Sequence, residues 1–266
     1  MAFAGIAWQA PWFAPFRGPG ALLSESDDWI AEANRLAADR QLRNHRGLPL
    51  RFIPQSGLPE DTGYEAHISA TAQVPTRDNL HDFFNALAWL HFPNIKQALN
   101  ALHAHAFEEP VQLGTRGRQR DAATLFDENA ALFISSSDSL LEALREHRWQ
   151  DVLFRESGEF SADCQVMLFG HALLEKLVMP YKSLTAHVWT VKVEPGWWHK
   201  DEVERRADID RRVGESISRG FTSADFCHLP VLGVPGWWPG QDAAFYEDSS
   251  IFRPKRRLRS PSASRP

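Results

Sequence analysis

The residues with the clearest chemical potential lie between Pro75 and Pro93, where polar side chains interrupt an apolar helical segment. His81, Asp82 and Asn85 stand among bulky aromatic residues. Because helix residues three or four apart share a face, His81 and Asn85 project to the same side. An unpaired polar group costs about 2–7 kcal/mol to bury, so these side chains either satisfy one another structurally or form a site. Neutral imidazole and carboxylate are ordinary ligands of divalent metal ions and ordinary groups for acid–base catalysis.

A second histidine and a carboxylate are one helical turn apart in the segment GHALLEK, where His171 precedes Glu175. This spacing lets a carboxylate orient an imidazole, or lets both groups bind one ion from a helix face. The neighbouring Gly170 and several leucines indicate close packing, which would partly bury the histidine. The alternative is an ordinary helical pair of histidine and glutamate without a functional role.

Charges of both signs are concentrated in the segment RGRQRDAATLFDEN. The group contains arginines followed by carboxylates: Arg116, Arg118, Arg120, Asp121, Asp127 and Glu128. Guanidinium groups bind phosphate and carboxylate groups, and adjacent carboxylates can hold Mg²⁺, so the segment is a candidate for binding an anionic substrate. The alternative is structural: Arg118 or Arg120 pairs with Asp121, and residues 127–129 form a turn before a strand.

The composition argues against several classes of protein. A net charge of −5 and an isoelectric point near 6.1 argue against nucleic acid as the main partner. No stretch approaches the roughly 18 apolar residues of a membrane span, and the N-terminus lacks the pattern of a secretion signal, so we expect a cytoplasmic protein. Cys164 and Cys227 show no disulfide or zinc-site spacing. The serine-hydrolase, zinc-protease, Walker and dinucleotide glycine motifs are absent from the sequence.

The distribution of apolar residues predicts an α+β fold: a helix-rich single domain with a small, mostly antiparallel sheet and long aromatic and proline-rich loops. We divide the chain into an N-terminal aromatic and proline-rich arm (1–20), one globular domain (21–254) and a basic, disordered tail (255–266). The prolines and glycines of the arm argue against a helix there. The tail suits electrostatic contact with nucleic acid or acidic lipid, although such tails more often serve solubility.

The helix with the first candidate residues is bounded by prolines. Pro75 ends a preceding extended segment, Asp78 is the predicted N-cap, and the helix runs to about Phe92. Pro93 then opens a second helix that ends near Phe107. The sequence therefore predicts two consecutive helices with a bend between them.

Other elements follow from periodicity and turn residues. Residues 50–53 and 64–72 have the pattern of extended segments, with a hairpin as their simplest arrangement. Residues 164–169 fit either a strand or the first turn of a helix. The run 229–252 is rich in large apolar residues and is predicted to pack over the helices as an extended strap. Further elements are expected as strands over 131–134 and 186–193 and as a helix over 200–219.

Three parts of the sequence together resemble a known family. They are VPTRDNLHDFFNALAWLHFPNIKQALN, then RGRQRDAATLFDENA with LFGHALLEKLVMPYKSLTAHV, then LPVLGVPGWWPGQDAAFYEDSSIFRP. In this order they are similar to the uncharacterised, mainly proteobacterial domain-of-unknown-function family 3025, over roughly residues 20–254. The resemblance implies a single cytosolic domain. Because the family has no assigned activity, the resemblance transfers no catalytic residues to this chain.

The residues support two hypotheses of different classes. The first is a metal-assisted hydrolase that acts on an anionic small-molecule substrate with a divalent metal ion as cofactor. The candidate catalytic residues are His81, Asp82, Asn85, Asp121, His171 and Glu175, and the candidate substrate-binding residues are Arg116, Arg118 and Arg120. The second is a non-catalytic binding or scaffold protein, in which the same polar residues form a buried network and the PGWW segments at 195–198 and 235–238 form a contact surface. A hydrolase requires His81 and His171 to meet at a cavity.

Overall fold

The centre of the molecule is a small mixed sheet. The structure is a computed structural model, and it describes residues 3, 5–108, 115–154, 160 and 162–255. The strands are β1 (Arg51–Pro54), β2 (Gln73–Thr76), β3 (Ala130–Ser135), β4 (Cys164–Leu168), β5 (Thr185–Lys192) and β6 (Cys227–Pro230). Every residue of β3 is buried, as its nearly uninterrupted apolar sequence AALFIS favours.

Four of these strands form the main sheet, in the order β4-β3-β5-β6. Strand β3 pairs antiparallel with β4 and parallel with β5, and β5 pairs antiparallel with β6. Strands β1 and β2 form a separate parallel ribbon. The strands predicted at 131–134 and 186–193 are confirmed as β3 and β5.

Helices make up most of the described chain. They are α1 (Arg17–Glu25), α2 (Trp29–Asp39), α3 (Tyr64–Thr71), α4 (Leu80–His91), α5 (Pro93–Glu108), α6 (Thr115–Asn129), α7 (Asp138–Arg145), α8 (Trp149–Leu153), α9 (His171–Lys176), α10 (Glu202–Ile217) and α11 (Ala243–Glu247). The predicted helix-rich α+β fold with a small sheet is confirmed. Two of the three pairings within the main sheet are antiparallel, whereas the separate ribbon is parallel.

Helix α4, which carries the first candidate residues, has a different cap from the predicted one. Its N-cap is Asn79, whose side chain accepts a hydrogen bond from the backbone N–H of Asp82 at 2.8 Å. The predicted cap, Asp78, instead accepts a hydrogen bond from Trp29 Nε1 at 2.9 Å. Helix α5 starts at Pro93 directly after α4, so the predicted pair of consecutive helices is confirmed.

The predicted hairpin between residues 50–53 and 64–72 is wrong. Residues Tyr64–Thr71 form α3, and β1 pairs in parallel with β2. A tight turn cannot join parallel strands, which need a crossover connection, and α3 is part of that connection. The alternation of apolar and polar residues here is too short to distinguish a strand from a helix. Ala72, with a φ of 58°, ends α3 in the left-handed region.

Helix α6 runs directly into β3. Asp127, Glu128 and Asn129, predicted as a turn, form the last turn of α6. Turn preference is a weak local signal, and the buried contacts of Asp127 described below outweigh it. Residues 164–169, for which the sequence leaves strand and helix open, contain β4, and a new helix, α9, begins after Gly170.

Gly170 sets the distance between α9 and the junction of α6 with β3. Its N–H donates a hydrogen bond to the Ala130 carbonyl at 2.9 Å. A Cβ at this position would lie 2.5 Å from Ala130 N and 2.6 Å from the Glu128 carbonyl oxygen, closer than side-chain Cβ atoms approach backbone. Glycine therefore permits the approach that brings His171, the first residue of α9, to the end of α6.

The N-terminal arm belongs to the core instead of lying across the surface. Phe13 and Phe16 are fully buried. Residues Pro11–Phe16 form a 3-10 helix that leads into α1, so the expectation of a non-helical arm is wrong. Pro19 lies in the first turn of α1, where a missing N–H costs no helical hydrogen bond.

The C-terminal run 229–252 packs against the domain as predicted, but it is not extended throughout, because it includes the 3-10 helix Val231–Gly233 and α11. Its buried side chains are Leu229, Val231, Leu232, Val234, Phe245, Tyr246 and Phe252. Trp237 contacts Trp12 of the arm, with ring centroids 6.4 Å apart. Of the predicted basic tail the structure describes Lys255, which pairs with Glu146 at 2.7 Å. Residues 256–266 lie outside the described part of the chain.

We expect Gly170→Ala to lower the free energy of unfolding by about 1–3 kcal/mol, the usual cost of overpacking, because the new methyl group overlaps backbone atoms. Urea denaturation followed by circular dichroism measures the change. Gly117→Ala is the control, because Gly117 lies in α6 and no described atom is within 4 Å of the position that a Cβ would take, and alanine favours helix. Equal midpoints for Gly170→Ala and the wild type would contradict the close approach.

Candidate functional site

A cleft of about 540 Å³ lies between α3, α4 and the adjoining ends of α6 and α9. Most of the residues that line it are of polar or charged types, and they come from several elements: Gln55, Leu58, Tyr64, Glu65, Arg77, His81, Asp82, Asn85, His103, Thr124, Asp127, Glu128 and His171. Charged and ring-nitrogen groups dominate this set, so the cleft is a candidate for metal binding or acid–base chemistry.

Two histidines and a glutamate converge at one wall of the cleft. His81 Nε2 lies 3.0 Å from His171 Nε2, and Glu128 Oε1 lies 3.5 Å from His171 Nε2 and 4.0 Å from His81 Nε2. One ligand atom from each residue lies within 4.8 Å of the others. Nitrogen and oxygen ligands about 2.0–2.2 Å from a tetrahedral zinc ion are about 3.3–3.5 Å apart, and the observed separations bracket that value.

Three elements that are distant in sequence supply these groups. His81 lies in the first turn of α4, Glu128 in the last turn of α6, and His171 at the start of α9. The close approach of Gly170 to the backbone of Glu128 brings α9 and α6 together. The site therefore depends on tertiary packing and has no local sequence motif.

Glu175 orients the ring of His81. Its Oε2 lies 3.0 Å from His81 Nδ1. A carboxylate oxygen accepts hydrogen bonds, so Nδ1 carries the proton, and in the neutral ring Nε2 presents its lone pair to the cleft. Carboxylates hold many metal-binding histidines in this way. The spacing suggests that Glu175 pairs with His171 on its own helix, whereas in the structure it bonds to His81.

His171 has a buried ring nitrogen, Nδ1, that lacks a hydrogen-bond partner and lies 3.9 Å from Asp127 Oδ1. If both rings are neutral, a hydrogen bond between the two Nε2 atoms requires the His171 proton on Nε2. His171 Nδ1 is then unprotonated, and two acceptors, Nδ1 and the Asp127 carboxylate, face each other. A cation held by both Nε2 atoms would remove this unfavourable contact, because His171 would then carry its proton on Nδ1. The donor set therefore fits a divalent ion.

A buried hydrogen-bonded network lies beside these ligands. Lys96 Nζ donates to Asp127 Oδ1 at 2.7 Å and to Asn85 Oδ1 at 2.8 Å. Asn85 Nδ2 in turn lies 3.0 Å from the hydroxyl of Tyr64. Burial raises the pKa of Asp127, but Lys96 and His171 lower it by more, so that the pKa lies below its ordinary value. Asp127 is therefore a carboxylate at neutral pH.

Glu128 has the charge that a metal ligand needs. Burial raises the pKa of its carboxyl, but while the two histidine rings are protonated, the hydrogen bond and charge of His171, with the charge of His81, hold the pKa below its ordinary value. Among the described residues, no lysine or arginine forms an ion pair with Glu65, Glu128 or Glu175. Negative charge is therefore in excess around the two histidines, which favours binding of a cation.

Asp82 lines the cleft but is held by a neighbouring arginine. Its buried carboxylate accepts hydrogen bonds from the Arg77 backbone N–H at 2.6 Å, from Nε at 3.0 Å and from Nη2 at 2.9 Å. The hydrogen bond and charge of Asp82 raise the pKa of Arg77. Because these donors occupy both carboxylate oxygens, Asp82 fixes Arg77 beside the cleft and is a poor candidate for a metal ligand or a base.

The charged segment of α6 contributes less to the cleft than the sequence predicts. Asp121 is exposed and does not line the cleft; it precedes Glu128 by two helical turns, about 10 Å along the axis. Arg118 and Arg120 are exposed and lie still farther along the helix. The side chain of Arg116 is outside the described part of the structure. The structure therefore does not bring Asp121, Arg118 or Arg120 to the histidines.

Several residues of the cleft do not stand out in the sequence. Glu128 is one of the carboxylates predicted as able to hold Mg²⁺, but in a turn; Tyr64 is predicted in a strand, and Arg77 and Lys96 have no predicted role. A usable signal exists for Lys96, because a lysine within the apolar segment NIKQAL is as unusual as the histidine among the aromatics of α4. Arg77 carries no comparable local signal, because its partner, Asp82, is recognised only in the folded chain.

The fold and the cleft together define a helix-rich α+β protein with a candidate divalent-ion site made of two histidines and one glutamate. The model of the family described as "Protein of unknown function (DUF3025)" matches residues 50–256, and the chain belongs to this family. The matched segment contains His81, Glu128 and His171, and the match confirms the resemblance seen in the sequence. No curated protein sequence and no solved structure matches the chain.

We expect Asp82→Ala to lower the free energy of unfolding by about 2–3 kcal/mol, because it removes charge-assisted hydrogen bonds to a buried carboxylate. Asp78→Ala is the matched comparison, since this exposed carboxylate has one hydrogen bond, to Trp29, and its loss costs about 1 kcal/mol or less. Thermal and urea unfolding of both variants provides the measurement. Equal stability of the two variants would show that the contacts of Asp82 with Arg77 contribute little.

Proposed function

We propose that the protein is a metal-assisted hydrolase whose catalytic divalent ion is held by His81, Glu128 and His171. The single observation that carries this proposal is the convergence of these ligand atoms within 4.8 Å at the wall of a cleft. The matched family has no assigned activity, so the proposal rests on the geometry and chemistry of the site.

The number of protein ligands favours a catalytic over a structural ion. Structural zinc sites have four protein ligands, whereas catalytic sites have three and keep a position for water or substrate. His81 and Glu128 are each 32 % exposed at the side chain, so the site faces the cleft. A divalent ion, when bound, activates water and polarises a carbonyl or phosphoryl oxygen.

The residues around the ligands have distinct supporting roles. Glu175 fixes the ring orientation and tautomer of His81. Asp127, held by Lys96, faces Nδ1 of His171 and favours the tautomer in which Nε2 points to the ion. Each histidine thus has a carboxylate behind it, an arrangement that strengthens metal ligands in other proteins.

The anionic substrate expected from the sequence has less support than the metal site. The arginines proposed to hold it do not line the cleft as far as their side chains are described. Arg77 is the guanidinium that does line the cleft, and Asp82 already occupies two of its nitrogens. We retain a small molecule as the substrate class because the cleft has the size of a small-molecule pocket.

A non-catalytic binding or scaffold protein is the second candidate, favoured by the hydrogen-bonded network of Lys96, Asp127 and Asn85. The PGWW segments support a contact surface weakly: Trp197 is buried, and Trp198 donates a hydrogen bond to Ser136 Oγ. No helix in the described chain is long and apolar enough to cross a membrane. For either candidate we propose a cytoplasmic location.

We expect the purified protein to bind one Zn²⁺, Mn²⁺ or Fe²⁺ ion per chain, measured by metal analysis after dialysis and by calorimetric titration. His171→Ala and Glu128→Gln should each weaken binding at least tenfold, because the first removes a ligand and the second removes the negative charge of one. His199→Ala is the control, since His199 is exposed and does not line the cleft. Absence of binding, or equal affinity of wild type and ligand variants, would favour the scaffold candidate.

The hydrolase proposal makes a further prediction about activity. Metal-loaded protein should hydrolyse at least one chromogenic ester, amide or phosphate, and a chelator should abolish the activity until the ion is restored. The His171→Ala variant should be inactive with every substrate, whereas His199→Ala should retain activity. Hydrolysis that persists after chelation, or that His171→Ala retains, would contradict a catalytic ion at this site.

A further inference from the structure

The cleft contains a hydroxyl group, that of Tyr64, whose hydrogen-bond direction is fixed by its neighbours. Lys96 Nζ lies 2.8 Å from Asn85 Oδ1. An ammonium group has donors and no acceptor, so the oxygen of the Asn85 amide must face Lys96. The amide nitrogen then faces Tyr64, 3.0 Å from its hydroxyl oxygen.

This orientation leaves the proton of Tyr64 available to a substrate. The amide nitrogen of Asn85 can donate and cannot accept, so the Tyr64 oxygen is the acceptor in this hydrogen bond. The hydroxyl proton of Tyr64 therefore points away from Asn85. Tyr64 lines the cleft, and the described residues provide no acceptor for that proton in the hydrogen bonds of the structure.

The electrostatic environment keeps Tyr64 protonated. Burial raises its pKa well above the ordinary value, and the negative charges of Glu65, Asp82 and Asp127 add to this effect. The phenol is thus a neutral donor throughout the physiological pH range. A donor of this kind stabilises negative charge that develops on a substrate oxygen.

Tyr64 lines the same cleft as the proposed metal ligands. Asn85, its hydrogen-bond partner, follows His81 by four residues on α4, so the two side chains lie on one helix face, about one turn of 5.4 Å apart. A substrate that fills the cleft would therefore have the ion near one part and the phenol near another.

The charges of the cleft discriminate between substrates. Its arginine, Arg77, is paired with Asp82, and the adjacent Lys96 is paired with Asp127. Glu65 and Glu128 have no such partner among the described residues, and Glu175, behind His81 and outside the lining of the cleft, is a third carboxylate without one. A divalent ion would balance two of these three charges, so the described residues offer no surplus positive charge to a phosphate dianion. An uncharged ester or amide adds no charge on binding and a single negative charge in the transition state.

We propose that Tyr64 is a catalytic residue that donates a hydrogen bond to the carbonyl oxygen of an uncharged ester or amide substrate. This inference rests on the proposed function. Water attacks the carbonyl carbon, and the carbonyl electron pair moves to the oxygen, which Tyr64 stabilises while keeping its proton. The bond to the leaving oxygen or nitrogen then breaks, and the leaving group takes the proton released by the water. Asn85 is a positioning residue that acts through Tyr64.

The test uses metal-loaded full-length protein with para-nitrophenyl acetate, acetyl-para-nitroanilide and para-nitrophenyl phosphate as probes. We expect Tyr64→Phe to lower kcat for the ester or the anilide by about 100-fold or more, the effect of removing one oxyanion donor, with metal content unchanged. Tyr181→Phe is the matched control, because Tyr181 is 51 % exposed and does not line the cleft. Binding of acetohydroxamate, whose carbonyl oxygen can accept a hydrogen bond while the molecule chelates a divalent ion, should weaken about tenfold in Tyr64→Phe and not in Tyr181→Phe.

The role of Asn85 has its own readout. Asn85→Leu should lower kcat without changing KM or metal content, and the double variant with Tyr64→Phe should be no slower than Tyr64→Phe alone, because the two residues act as one unit. Additive losses would show that Asn85 acts independently of Tyr64.

The outcomes separate this inference from the proposed function. If the wild type binds no ion, the metal-hydrolase proposal fails and this inference fails with it. If the ion binds but Tyr64→Phe matches the wild type in turnover and in acetohydroxamate affinity, the role of Tyr64 is overturned while the metal site stands. Faster hydrolysis of the phosphate than of the ester and the anilide would overturn the assignment of an uncharged substrate.

Discussion

The buried ion pair between Lys96 and Asp127 is the interaction on which the cleft depends. Their side chains are 5 % and 14 % exposed. Removing two charges from water costs several kcal/mol per ion, and the cost is offset only when the geometry is good and additional hydrogen bonds are formed. Both oxygens of Asp127 and the amide oxygen of Asn85 accept from the same ammonium group. One charge thus joins α4, α5 and α6.

The ion pair also determines what the adjacent residues can do. Asp127 precedes Glu128 in the last turn of α6, so fixing one carboxylate limits the position of the next. Of the two residues that accept from Lys96, Asp127 lies beside Nδ1 of His171, and Asn85 donates a hydrogen bond to the hydroxyl oxygen of Tyr64. Apolar side chains of similar volume often give equal or greater stability than a buried ion pair. The value of this pair therefore lies in the orientations that it imposes on the cleft.

The sequence predicts the elements that have strong periodicity and the polar residues that interrupt it. The predominance of helices, the strands β3 and β5 and the succession of α4 and α5 follow from the spacing of apolar residues and the positions of prolines. His81 and His171 stand out because each is polar within an apolar context. Glu128 is recognised only as one of several charged residues in its segment, with a turn as the local explanation, and Tyr64 does not stand out in its short alternating segment. Their roles arise from contacts between distant elements, such as the approach of Gly170 to α6, which no local pattern records.

Aromatic residues that precede the family match pack against α4. Phe3 stacks on Phe83 at a centroid distance of 4.2 Å, and Phe13 stacks on Phe84 at 5.7 Å. Both partners lie on α4, between His81 and Asn85, whereas the family match begins at residue 50. A fragment limited to the matched residues would expose two aromatic side chains, each of which buries about 150–250 Å². The region of shared sequence therefore does not include all of the core that buries α4 in this chain.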